Sequence, residues 1–380
     1  MRTRFKNGRL PITDVEQTVL RFVWLNPGKS RAEIAEKLNL SKSMLSKAVQ
    51  TFEQMQLVIE ERSTPSEGGR GQPPIRLFLN KNAFYSIGLY LTPQDGIAIL
   101  ADLSGSVQET RIIKPKGNAQ SILDGIRDAV GDLIENAPAP VIGIGQAVPA
   151  IVRENGTLFE ISPRQFSIPF QDIAASLRET FELPVYWENA AYCIAGFEAH
   201  KPESGRRCVF HLTLDSGIGG GLVIDGKIFR GAYNQAANFG ALIPETGPRP
   251  NLPDLAQHLG CPIERLTMDY LIKLFKGQDA SLVDWIKDRG NRLSQPLSAV
   301  VQLYNPDTIV LGGSLPFEIL TALCAQINLG FYDLPTRRSL IKPSLTATEL
   351  LGPSGLANAA AILPVGAELM GLPAVVPKID

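Results

Sequence analysis

The tightest constraint on how this 380-residue chain folds is a run of glycines between two apolar stretches. Val209-Phe210-His211-Leu212-Thr213-Leu214 leads into Asp215-Ser216-Gly217-Ile218-Gly219-Gly220-Gly221. Leu222-Val223-Ile224 follows, and Asp225-Gly226 is then a hairpin-turn signal. Two buried strands joined in this way present backbone N–H groups at a loop free of side chains. Such a loop commonly cradles a phosphate. A glycine-kinked hairpin that binds nothing has the same sequence, and from this stretch alone both readings stay open.

The first eighty residues have a different character. They carry 13 Lys and Arg against 8 Asp and Glu, whereas the other three hundred carry 24 against 30. Val15, Val19, Phe22 and Val23 recur at helical spacing, and Pro27-Gly28 ends that helix. Ser30 with Glu33 three residues on is a capping box opening a second helix, which buries Ile34, Ala35 and Leu38. After a short turn at Asn39-Leu40, Ser41 caps a third helix running to about Met55. Two helices joined by such a turn form a helix-turn-helix. In the third helix Leu45, Ala48, Val49 and Phe52 form the core side, and Lys42, Ser43, Ser46, Lys47 and Gln50 form the other. Lysines, small hydroxyls and an amide are the groups that reach phosphates and base edges in a major groove. Strands at Leu57–Glu61 and Ile75–Leu79 flank Gly69-Arg70-Gly71-Gln72-Pro73-Pro74, an extended wing that would offer Arg70 to a narrow minor groove. The basic excess suits a nucleic-acid-binding head on a neutral-to-acidic body.

The remainder, from about Tyr85, reads as three strands, a helix (Ala119–Asn136) and a strand (Val141–Ile144), with a second half beginning near Cys208. Three stretches carry a family resemblance: Val209–Ala241, Gly143-Ile144-Gly145-Gln146-Ala147-Val148-Pro149, and Pro306-Asp307-Thr308-Ile309-Val310-Leu311-Gly312-Gly313-Ser314-Leu315. With them the chain resembles the ROK family (repressors, open reading frames and kinases). Its head resembles the winged helix of that family's regulatory branch, whose wing carries a similar Gly-Arg-Gly motif. The resemblance implies an α/β body with an actin-like, RNase H-like, two-lobed sugar kinase fold, set behind an N-terminal α+β winged helix. It divides the chain into a winged helix-turn-helix domain (1–80), a first lobe (81–195, joined by a C-terminal helix at about 355–372) and a second lobe (196–354).

The resemblance also shows what has changed. The family's catalytic base is an aspartate directly after an asparagine, and here the pair is Asn189-Ala190. Alanine accepts no proton. The first phosphate loop, normally Asp-x-Gly-Gly-Thr, matches Tyr90-Leu91-Thr92-Pro93-Gln94, and Pro93 removes a backbone donor. The family's Gly-Glu-Ile-Gly-His matches Ala237-Asn238-Phe239-Gly240-Ala241, so the histidine that also ligates zinc is Ala241. The three cysteines that should follow are absent from Pro248–Gly260, and Cys261 with His258 falls short of a tetrahedral site. No catalytic residue, metal or cofactor is expected. The effector pocket implied by the match holds Arg164, Glu188, Asn189 and Asn238; its alternative is a decayed pocket with Arg164 on the surface and Glu188 paired with a neighbouring cation.

Scattered cysteines and the lack of an apolar run of about 18 residues point to a reducing cytoplasm and no membrane span. The expectation is a transcriptional regulator of carbohydrate-related genes, a repressor in the usual arrangement of that family. Its partners would be double-stranded DNA with a palindromic operator, a sugar or sugar derivative, and a second copy in a homodimer or tetramer. A sugar kinase with an appended head, and an effector-independent DNA-binding protein, are the alternatives. Val375–Asp380 reads as a loose tail.

Overall fold

A computed structural model describes residues 10–378, apart from 63–73, 93–94, 115, 154, 161–167, 203–204, 334–335 and 337–339. The N-terminal part contains α1 (Asp14–Leu25), β1 (Lys29–Ser30), α2 (Arg31–Lys37), α3 (Lys42–Gln54), β2 (Val58–Arg62) and β3 (Ile75–Leu79), with the strands ordered β1-β3-β2. Side chains fix each helix start. Thr13 and Glu16 form a capping box on α1, and Ser30 and Glu33 form one on α2. Ser41 accepts from the Met44 N–H at 3.2 Å and opens α3. Val19, Leu20, Val23, Ile34, Leu45, Val49, Phe52 and Leu77 close the core beneath them. Val15 turns outward, and Leu20 and Trp24 take the inner face with Val19 and Val23. The strand β1 was not foreseen.

The body contains two five-stranded sheets. The first is built from β4 (Tyr85–Leu91), β5 (Gly96–Asp102), β6 (Val107–Ile113), β7 (Val141–Val148) and β10 (Val185–Asn189). The second is built from β11 (Cys208–Leu214), β12 (Ile218–Ile224), β13 (Lys227–Ile228), β14 (Thr308–Gly313) and β15 (Ser344–Leu351). Counting the strands of each sheet along the chain, both have the order 3-2-1-4-5, with antiparallel hairpins at strands 1 to 3 and parallel pairing from 1 to 4 and 4 to 5. This is the actin-like duplication that the resemblance implies, present in topology without a repeat in sequence. A short hairpin, β8 (Ala150–Val152) with β9 (Leu158–Glu160), is inserted after β7. α4 (Ala119–Glu135) and α5 (Phe170–Phe181) cover the outer face of the first sheet, where Ile122, Ile126, Val130 and Leu177 meet Ile87, Leu89 and Ile144. The second sheet packs against α9 (Ala280–Tyr304) and α10 (Phe317–Gln326), whose Trp285, Leu293, Leu297 and Leu323 are fully buried.

Two helices lie between the sheets: α6 (Ala190–Ala199) and α11 (Gly352–Leu369). α11 rests on β4 and β7 through small residues. Gly88 and Gly145 are register partners, and a Cβ on either would fall 1.9 Å from a carbonyl oxygen, that of Ala357 or Ala360. α11 also carries the head. Val365, Leu369 and Met370 share a core with Val19, Val23 and Trp24, and Gln17 Nε2 donates to the Glu368 carbonyl at 3.2 Å. Beyond α11 the chain is tied down rather than loose. The Trp187 N–H donates to Val375 O at 3.1 Å, and the Lys378 N–H to Gly156 O at 2.9 Å. Ordinary backbone bonding of this kind leaves no side-chain signature, which is why a tail was expected.

The α11 seat sets a steric test. Gly145→Ala should force the helix off the sheet and lower unfolding free energy by about 1–3 kcal/mol or more, read as a lower urea midpoint. An unchanged midpoint would show that α11 yields freely there.

Candidate nucleic-acid interface and inter-lobe site

On α3 the two faces separate as the spacing predicts. Leu45, Ala48, Val49 and Phe52 are buried, and Lys42, Ser43, Ser46, Lys47 and Gln50 are exposed together. Among the described residues neither lysine forms an ion pair, whereas the nearby Arg31 is held by Glu53 and Glu60. Met44, 45 % exposed, shares the presented surface. The sequence pattern passed over it because an apolar residue at a helix start reads as core. The angle of α3 is fixed by Glu16, which takes Thr51 Oγ1 at 2.6 Å on one oxygen and the Thr13 cap on the other. Burial pushes the Glu16 carboxyl up, but the Thr51 and Thr13 hydrogen bonds outweigh it and hold the group below its usual range. Arg70 lies outside the described residues.

In the body, Asn189 is committed to structure. Its Oδ1 accepts from the Ala191 N–H at 3.0 Å and caps α6, and its Nδ2 donates to Ala150 O at 2.9 Å. Glu188 is buried (2 % exposed), accepts from the Asn189 N–H at 2.8 Å and pairs with Arg230 from the second lobe. Desolvation raises its carboxyl above the usual range, with Arg230 opposing. The 229–237 segment is latched to the first lobe at two further points. Asn234 Nδ2 donates to Val152 O at 2.7 Å, and the Tyr192 hydroxyl to Ala236 O at 2.6 Å. Asn238 is exposed at the end of this segment, and its side-chain amide makes no hydrogen bond among the described residues. Glu188 and Asn189 therefore sit together under the second lobe's loop, with Asn238 beyond it. Arg164 lies outside the described residues. Arg230 and Asn234, whose roles the sequence did not announce, complete the junction.

The glycine run is accounted for by packing. Gly219 to Gly221 lie within β12 rather than in a loop. A Cβ on Gly220 would fall 2.3 Å from Ala237 O, and one on Gly221 2.6 Å from Ala191 O, so the glycines let α6 and the 237–240 turn close on the strand. At the loop itself Asp215 accepts from the Ser216 N–H at 2.7 Å and the Ser314 hydroxyl at 2.9 Å. Burial raises its carboxyl, and an anion there would meet this side chain and find a backbone donor already taken. The residues do not fit a nucleotide phosphate.

Nor do they fit zinc. Among the described residues no group of three or more His, Cys, Asp or Glu is placed to hold a metal ion. The loop after Ala241 is organised by Arg249, which donates to the carbonyls of Gly240, Ile243 and Pro244 at 2.9–3.2 Å. Asp254 backs it, accepting from the Arg249 N–H at 3.2 Å, Trp285 Nε1 at 2.6 Å and Arg289 Nε at 2.8 Å. A guanidinium and a carboxylate crosslink this loop.

The latch can be tested through Glu188. Arg230→Met strands a buried carboxylate and should cost about 3–5 kcal/mol near neutral pH. The folded-state pKa of Glu188 is already raised and rises further without Arg230. The folded form then binds more protons, so stability should recover as pH falls through that raised value. Urea midpoints at two pH values read both effects, and adding Glu188→Gln should restore most of the loss. A variant as stable as the parent at neutral pH would show that the pair is not buried.

Comparison with known proteins agrees with this geometry. Residues 7–59 match a winged helix-turn-helix DNA-binding family model, and residues 94–265 match the ROK family model. The xylose repressor of Bacillus subtilis strain 168 is 24% identical over 369 residues, covering 88% of this chain and 94% of its own. A crystallised ROK family transcriptional regulator, a homologue of the E. coli MLC protein, superposes with a TM-score of 0.66 at 15% identity, over 94% of this chain and 98% of that one. A ROK glucokinase from Streptomyces griseus, solved with glucose and AMPPNP, gives a TM-score of 0.58 at 21% identity, over 73% of this chain and 98% of that one. The shorter match to the kinase leaves out about a quarter of the chain, and the match to the regulator spans nearly all of it. Residues 94–265 thus carry a ROK family domain, set behind an N-terminal winged helix-turn-helix domain at residues 7–59.

Proposed function

We propose that the protein is a sugar-responsive DNA-binding transcriptional repressor whose ROK body has no kinase activity. The observation that carries this reading is the surface of α3: lysines that form no ion pair among the described residues, hydroxyls and an amide on the exposed side of a helix whose other side is the head's core. The xylose repressors among its relatives support it, and they make xylose the first effector to try. In this reading residues 1–80 are the reading head and residues 81–354 form the two lobes, closed by the C-terminal helix. The effector sits beside Glu188, Asn189 and Asn238, with Arg164. Two copies present two heads to a palindromic operator, in the cytoplasm. Ala190 stands where a sugar kinase of this family has its base, so the bound sugar is sensed rather than phosphorylated.

The test is selection of genomic DNA by the purified protein with and without xylose and a wider sugar pool. A discrete palindromic site released by a sugar is the expected result. Lys47→Ala should weaken binding evenly across sequences and lower the slope of log affinity against log salt by about 1. Gln50→Ala should cost about 1–3 kcal/mol at one base position. Sites indifferent to every sugar would leave an effector-independent DNA-binding protein. ATP-dependent phosphorylation of a sugar, lost in an Asn189→Ala variant, would replace the repressor reading with a kinase.

A further inference from the structure

The first sheet ends in an open edge. β6 pairs with β5 on one side and, among the described residues, with no strand on the other. The opposite edge, β10, is met at Trp187 by Val375. An edge of free N–H and C=O groups is a template for another strand, and many proteins blunt such edges with lysine or proline. Val107-Gln108-Glu109-Thr110-Arg111-Ile112-Ile113 contains neither. Its bulge lies at the Val107 end, so Glu109 to Ile113 stay in regular register.

The ladder shows which backbone groups face outward. The Thr92 N–H donates to Asp95 O, and the Asp102 N–H donates to Ser106 O. Backbone groups alternate along a strand, so the odd residues of β5 turn theirs to β4 and the even ones to β6. The even residues Leu100 and Ala98 are registered with Glu109 and Arg111. Thr110 and Ile112 therefore present their N–H and C=O to the open edge. The Thr110 carbonyl accepts there from Arg111 Nη1 at 3.2 Å, a side chain in the place of a strand.

The two faces of β6 differ. Thr110 and Ile112 share the face of Ile99 and Ile97, which pack beside the alanines of α11. At the rim of that face Ile112 is left 67 % exposed. Glu109 and Arg111 lie on the other face, where Arg111 pairs with Glu109 at 2.7 Å and with Asp132 of α4 at 3.6 Å.

This edge is complementary to itself. When two copies of a strand pair antiparallel, residues opposite each other share a face, so the two-fold axis runs between two copies of one residue. With the axis at Thr110, Glu109 stands opposite Arg111 of the second copy, and Arg111 opposite its Glu109. Moving the axis one residue either way faces Glu109 with Glu109, or Arg111 with Arg111. Opposite charges across a ladder stabilise it and like charges destabilise it, so one register is favoured. In that register the two Thr110 residues exchange both backbone bonds, and Ile112 gains a neighbouring strand on its bare side.

We propose that β6 is an interface between two copies of this chain, paired antiparallel about Thr110 so that their first sheets become one continuous sheet. The proposal rests on the two-copy reading given under the proposed function and names the surface that joins the copies.

The experiment uses the full chain carrying Thr110→Cys. Cα atoms of a hydrogen-bonded antiparallel pair lie about 5.5 Å apart, within disulfide reach. In a buffer of reduced and oxidised glutathione this variant should form a covalent dimer, seen on a non-reducing gel. Its yield should be about ten times that of Glu179→Cys, an exposed position on α5. Adding Glu109→Arg faces arginine with arginine twice and should cut the yield about ten-fold; adding Arg111→Glu as well should restore it, because opposite charges meet again. Sedimentation of the unsubstituted chain separates the two ways of failing. A dimer whose Thr110→Cys variant does not crosslink would overturn the β6 interface and leave the two-copy reading standing. A monomer would overturn both. Crosslinking indifferent to the charge exchanges would overturn the register and with it the proposal.

Discussion

The structure depends on the close approach of α11 to the first sheet. Helix backbone carbonyls of Ala357 and Ala360 lie where the side chains of Gly88 and Gly145 would be, so at these two points helix and sheet touch through backbone, with Tyr90, Ile97 and Ile99 packed around the alanines. That contact fixes more than one lobe. The same helix packs against α6, reaches β15 of the second sheet, and lends Val365, Leu369 and Met370 to the core of the head. A helix lined with larger side chains would hold these parts several ångströms further apart. Close packing transmits small shifts because an interior of this density does not absorb them. Motion between the lobes must therefore carry α11, and with it the seat of α1.

The polar contacts across the lobes have the opposite character. Glu188 with Arg230, Asn234 with the Val152 carbonyl, and Tyr192 with the Ala236 carbonyl are each single directional contacts made by one segment, 229–237. At the far end of α6, Glu198 takes Thr348, Lys201 and Arg206 together, and burial, which raises its carboxyl, is outweighed by these donors so that it stays below its usual range. One end of α6 is thus held by a saturated carboxylate, the other by a pair whose desolvation is only partly repaid. A two-state element needs such an asymmetry: a firm pivot and a contact that a ligand can exchange.

Much of the head was legible because its signals are local. Ser30 with Glu33, Ser41, and the split of α3 into Leu45, Ala48, Val49 and Phe52 against Lys42 to Gln50 are written within a few residues and depend on nothing distant. The body resisted where one sequence serves two physical ends. Gly219 to Gly221 look alike whether glycine admits a phosphate or another piece of backbone, and only the position of Ala191 and Ala237 decides. Asn189 looks like a ligand contact, and its role as a helix cap carries no separate signal. Arg249 carried no motif at all, since its partners are carbonyls, which every residue has.

The positions where the sequence departs from the ROK kinase motifs are well packed in this architecture. Ala190 follows the cap of α6 and packs with Cys193, Leu356 and Ala360, so a small apolar residue there lets α6 lie close to α11. An aspartate at that place would bring a charge toward a contact made of methyl groups, at a desolvation cost that a kinase offsets with its substrate. The loop after Ala241 is closed by Arg249 and Asp254, and Trp285 and Arg289 of α9 tie that closure to the second core. The result is a two-lobed body with its winged helix-turn-helix head fixed to α11, the helix that both lobes share.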